Sequence, residues 1–216
     1  MLIGSFPSEE HPLPHLVLLG DSTLDNAAYT DGGPDVVTQL RALLPSAWEA
    51  TLAAVDGATT RTLGPQLDAI PPGATHLLLS VGGNDALLHA GLYGEPAASV
   101  GHALGRVADA VAEFERDYRA VLGRVLARGL PTVVCTIYEG CFPDPGFQRF
   151  AATAAALFDD AILRVAREHA LATIDLRQVC SADEDYVNCI EPSVVGGGKI
   201  ARAIGAVMVE RATSGS

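Results

Sequence analysis

Cations are scarce in this 216-residue sequence: 14 Lys and Arg stand against 26 Asp and Glu, a formal net charge of −12. Phosphate backbones and anionic membrane surfaces are gripped by clustered Lys and Arg, so neither nucleic acid nor membrane is an expected partner. No apolar run is long enough to span a bilayer. The stretch MLIGSFPSEEHPLPH has no basic region followed by a long apolar segment, so it reads as neither secretory signal nor anchor, and a cytoplasmic location is expected. Cysteines are few: Cys135, Cys141, Cys180 and Cys189 form no Cys-x-x-Cys pair and have no His at ligand spacing, so no metal site is expected. Cys180 and Cys189 flank the acidic loop SADEDYVN and could bridge in an oxidising compartment. The glycine run VVGGGKIA lacks the first glycine of a phosphate loop and the Ser or Thr after Lys199, so it reads as a glycine-rich helix start, and no cofactor is expected.

What is present is alternation. The apolar runs HLVLLG, EATLAAVDG, THLLLSVGG, PTVVCTIY and LATIDLR read as five buried parallel strands. Between and after them PDVVTQLRALL, TRTLGPQLDAI, the long stretch from Val100 to Gly129, the stretch from Phe147 to Ala170, and SVVGGGKIARAIGAVMVERA read as helices. In the longest, Leu104, Val107, Val111, Phe114, Tyr118, Val121, Leu122 and Val125 follow the three-and-four spacing of one buried face. No internal repeat or linker-like tract interrupts the pattern, which predicts one α/β domain over residues 1–216 with its core at about 15–212.

Ligands of such sheets bind beyond the carboxyl ends of the strands, so the residues after each run are the candidates. Ser22 follows the first strand in GDSTLDN, where the amino end of a following helix would favour developing negative charge. Gly57 follows the second strand, and Gly83-Asn84-Asp85 the third. A close backbone approach and a side-chain amide are what an oxyanion needs. A plain turn explains each of these segments taken singly.

With these motifs in place the chain resembles the SGNH (GDSL-type) hydrolase family, esterases, lipases and acyltransferases of flavodoxin-like fold. The first family block matches Asp21 and Ser22, the second Gly57, and the third Gly82-Gly83-Asn84-Asp85. The resemblance, running from about His15 to Ile204, implies a three-layer fold with a five-stranded parallel sheet and helices on both faces. It also implies Ser22 as nucleophile, with its own amide, Gly57 and Asn84 as oxyanion hole, acting on a small ester or acyl substrate. The family's last block is Asp-x-x-His-Pro. Here NCIEPS puts Asn188 where the Asp stands and Glu191 where the basic His stands, while Pro192 is kept.

Three readings are open at this point. Glu191 takes the Ser22 proton directly, with Asn188 supporting the carboxylate, since burial can raise a Glu pKa of ~4.3 by ~2 units. Alternatively Glu191, Asp85 and Glu139 do other acid–base work on a carbonyl in the old oxyanion hole, or the chain binds a carbonyl ligand without catalysis. Among histidines, His76 and His169 belong to the opposite rim and His11 and His15 precede the first strand. That leaves His102, and His89 as the alternative base beside the third block.

Overall fold

The computed structural model describes residues 13–214; His11 and most of the amino-terminal stretch lie outside them. The run Leu16-Val17-Leu18-Leu19 has no polar residue to offer a solvated face, so it needs cover on both sides. Strand β1 (His15–Gly20) accordingly lies inside the sheet with all four residues fully buried. Around it β2 (Glu49–Leu52), β3 (His76–Ser80), β4 (Thr132–Cys135) and β5 (Ala172–Ile174) complete a five-stranded sheet of order β2-β1-β3-β4-β5, every pairing parallel. Successive side chains of a strand leave on opposite faces. Leu16 and Leu18 pack with α1 (Val36–Leu43) and α7 (Val194–Ser214), whereas Val17 and Leu19 pack with α4 (Val100–Leu126) and α5 (Pro145–Glu168). The result is the expected three-layer, flavodoxin-like arrangement, whose direction of winding reverses between β1 and β3.

The strands are shorter than the apolar runs that announced them, because the residues at their carboxyl ends leave the ladder to line the site. The segment TRTLGPQLDAI forms only the short α2 (Gly64–Asp68), with Pro65 in its first turn and Pro71-Pro72 shortly after its end. Gly83–Leu88, read above as a turn, is helix α3, and Leu176–Val179 is a single-turn helix α6. Helix α4 is capped by Ser99, whose hydroxyl accepts from the His102 amide. Leu104, predicted on its buried face, is 61% exposed, because the packed face begins only at Ala110. Among the described residues no helix is long and apolar enough to cross a membrane.

Candidate active site

Gly20 is demanded by close packing. Its φ is +143°, and a Cβ there would stand 1.8 Å from the Ser80 carbonyl oxygen. That approach lets the Asp21 amide donate to Ser80 O at 3.2 Å, while the Gln66 side chain bonds both the amide and the carbonyl of Gly20 at 2.8 Å. The chain then makes one tight turn, with Leu24 and Asp25 amides donating to Asp21 O. Ser22 sits in that turn, 8% exposed. The helix start expected behind Ser22 is absent: a short 3₁₀ turn follows at Ala27–Tyr29 and α1 begins only at Val36, so no helix dipole aids the hydroxyl.

Glu191 reaches the same place from the other end of the chain. Ser193 caps α7, its hydroxyl accepting from the Val195 and Gly196 amides at 3.1 Å. Gly196 permits the helix to start against the Asp185 carbonyl, which a Cβ would meet at 2.1 Å. The preceding loop is tied at successive positions. Asn26, fully buried, donates to Pro192 O at 3.1 Å and accepts from the Val36 amide. Tyr138 donates to Ile190 O at 2.6 Å. Asn188 is exposed, and its Oδ1 accepts from the amides of Ile190 and Glu191, both at 2.9 Å. It therefore shapes the backbone, and does not support the Glu191 carboxylate as the sequence suggested.

Glu191 is 8% exposed and its Oε2 is buried without a protein partner. Burial pushes its carboxyl above the ordinary Glu value, partly offset by the nearby Ser22 hydroxyl. Asp21, 3% exposed, is pushed up to about 7 by burial, against hydrogen bonds from Thr23 and with added repulsion from Asp85 and Glu191. Tyr138 is raised well above the usual phenol value by burial and by Asp21 and Glu191, so it keeps the proton it gives to Ile190 O.

The oxyanion candidates arrive on α3 and the loop after β2. Asn84 gives one Nδ2 hydrogen to Ala58 O at 3.0 Å and has a second to offer. Gly57, with φ +75°, is next to Ala58 but is itself exposed and does not line the cavity beside Ser22. Asp85 is buried against Thr60, accepting from its hydroxyl at 2.6 Å and its amide at 3.1 Å. Its carboxylate anchors the loop and does not face the cavity, which removes it from acid–base work there.

The cavity, about 150 Å³, has Ser22, Asn84 and Glu191 in its lining. Its side walls are apolar, with Ile137, Tyr138, Ala151, Ala154 and Ile190. An aromatic group, Tyr93 edge-on to Phe150 and Phe142 edge-on to Phe147, also lines it. Glu139 lines the cavity but is exposed. His89 does not line it. It faces a separate hollow with Thr59, Arg61, Glu113 and Asp117, its ring 6.1 Å from Phe158, so it is no base for Ser22. Tyr138, the buried state of Asp21 and the aromatic wall were missed by the sequence reading. The spacing of Phe142, Phe147 and Phe150 in CFPDPGFQRF was the available signal. Among the described residues no cluster of His, Cys, Asp or Glu could hold a metal.

Comparison with known proteins agrees with this fold. Residues 18–190 match the model of the GDSL-like lipase/acylhydrolase family, a match that stops one residue before Glu191. Phospholipase A1 from Streptomyces albidoflavus NA297 is 19% identical, with a TM-score of 0.67 over 90% of this chain and 99% of that one. An extracellular lipase from Streptomyces rimosus is 18% identical, TM-score 0.68, over 89% and 99%. An aryl esterase of M. smegmatis is 14% identical, TM-score 0.66, over 91% and 99%. No curated protein matches the chain. With four-fifths of its length under one family model and the fold of these enzymes, the chain belongs to the GDSL-like lipase/acylhydrolase family of hydrolases.

Proposed function

We propose that the chain is a serine ester hydrolase or acyltransferase in which Glu191 replaces the family's histidine base. The observation that carries the reading is the nearness of two buried groups, the Ser22 hydroxyl and the Glu191 carboxylate, in the lining of one largely apolar cavity. In the forward step Ser22 Oγ attacks the acyl carbon while its proton passes to Glu191. The oxyanion takes hydrogen bonds from the Asn84 side chain and from the amide of Ser22; Gly57, the family's further donor, stands outside the cavity and takes no part. Collapse expels the alcohol, which leaves with the proton from Glu191, and the acyl group stays on Ser22. Water or a second alcohol then enters, gives its proton to Glu191 and attacks the acyl carbon; the Ser22 oxygen leaves, taking that proton back from Glu191, and the acyl group departs as acid or new ester.

A carboxylate of ordinary pKa is a poor base at neutral pH; burial raises both its pKa and its basicity, which brings Glu191 nearer the working range. The apolar walls favour an uncharged small acyl group. A panel of p-nitrophenyl esters of increasing acyl length, run with Ser22→Ala, tests the reading. Turnover that vanishes in Ser22→Ala supports it. Absence of turnover across acyl lengths and pH, together with binding of a small carbonyl ligand, would favour a binding protein.

A further inference from the structure

Of the four cysteines, two are closed to reagents: Cys135 and Cys180 are 1% and 2% exposed, and burial pushes both thiols up to about 12. The other two are partly exposed and lie together. The Cys141 amide donates to the Cys189 carbonyl at 2.8 Å. With N–Cα about 1.46 Å and a carbonyl oxygen about 2.4 Å from its own Cα, the two Cα atoms are at most roughly 6.7 Å apart. Disulfides span Cα separations of roughly 4.4–6.8 Å. Cys180, flanking the same acidic loop and the partner suggested by sequence, is buried and has Asp185 and Lys199 as its charged neighbours.

The positions of this pair have consequences for the site. Cys141 lies between Gly140 and Phe142, which line the cavity, and Cys189 lies two residues before Glu191. We propose that Cys141 and Cys189 form a dithiol–disulfide couple that reacts with a small disulfide oxidant of the glutathione type and, when bridged, clamps the two loops bordering the cavity. The Cys141 thiol donates to Asp183 Oδ1 at 3.3 Å, which holds its proton in place, so the first attack belongs to Cys189. The Cys189 thiolate attacks one sulfur of the oxidant and expels one thiol. Cys141 then loses its proton to solvent and attacks the Cys189 sulfur, expelling the second thiol. Two protein thiols are oxidised to one disulfide, and the oxidant is reduced to two thiols. The bridge joins residues 48 positions apart in the sequence, between backbone atoms already in contact. It should therefore raise the melting temperature by roughly 5–15 °C and leave Glu191 where it is.

The full chain is incubated with glutathione disulfide, then denatured for thiol titration and peptide mapping. The expected result is a fall from four thiols to two, a single Cys141–Cys189 linkage, and a rise in melting temperature reversed by dithiothreitol. Cys141→Ser and Cys189→Ser should each abolish the linkage and the rise, and Cys180→Ser should keep both. Retention of four thiols, a Cys180–Cys189 linkage, a reaction that stops at a glutathione adduct, or a bridge that leaves the melting temperature unchanged would each overturn the proposal. The wild-type mapping decides the pairing even where a variant folds poorly, and none of these readouts depends on Ser22 chemistry.

Discussion

At the scale of single residues, the site is a competition among carboxyl groups for one negative charge. Asp21 and Glu191 repel each other, and burial raises both, Asp21 to about 7. Ionised, Glu191 can accept the serine proton; ionisation of Asp21 puts a further negative charge into the cavity where the oxyanion forms. The rate should therefore rise with pH through an ionisation above the ordinary Glu value and fall again through about 7, and Asp21→Asn should remove the falling limb. Steady-state kcat/KM from pH 4 to 9 measures this. Asn84→Ala should lower kcat roughly 100-fold or more, since one oxyanion donor contributes about 3 kcal/mol. Ser22, Asn84 and Glu191 were legible in the sequence because they stand in the blocks that carry the family resemblance, Ser22 and Asn84 shortly after apolar strand runs. The work done by Asn188 and Tyr138 was not: spacing gives neighbours along the chain, while the direction of a side chain follows from the turn it closes.

At the scale of elements, the site depends on how short segments are pinned to one another. The loop after β2 is held to α3 by Asn84 on Ala58 O and by Asp85 on Thr60. Asp85→Ala would leave the buried amide and hydroxyl of Thr60 unpaired, which should lower unfolding stability by about 2–3 kcal/mol in urea titration. It should also slow turnover by freeing the loop that holds the Asn84 side chain. The strands and long helices were legible because their apolar residues follow periods of two or of three and four without interruption, as in β1 and the second half of α4. Helix α3 was hidden because six residues opening on Gly-Asn-Asp have the composition of a turn, and only their packing near α5 and the cavity makes them helical. The first turns of α4 were misread for the complementary reason: Leu104 keeps the helical spacing, but nothing is packed over it.

For the molecule as a whole, buried acids set an uncommon pH dependence. Asp21 and Asp159 are 3% and 0% exposed, and burial raises each to about 7. In the unfolded chain both titrate near 4, so between pH 4 and 7 the native state binds more protons and stability falls as pH rises. Three pKa units at 1.36 kcal/mol each make that loss roughly 4 kcal/mol per group by pH 8. Asp175 works in the opposite sense: Arg177 holds it down to about 2, so its contribution is present above pH 4 and disappears as pH falls through 2. The melting temperature should peak near pH 4–5 and decline toward pH 8, with a smaller decline in Asp159→Asn. A melting temperature that climbs from pH 5 to 8 would contradict this.

Ser22, just beyond the first strand, and Glu191, before the last helix, are the two reacting groups of the proposed mechanism. The most direct test is the pH dependence of fluorophosphonate labelling of Ser22, followed by intact-mass and peptide analysis in the wild type and in Glu191→Gln, which keeps the shape of the side chain and loses its basicity. The predicted result is labelling at Ser22 whose rate rises with the ionisation of a carboxyl group above the ordinary Glu value, and a loss of at least 100-fold in Glu191→Gln with the folded circular dichroism spectrum unchanged. Labelling of Glu191→Gln at the wild-type rate would show that Glu191 is not the base.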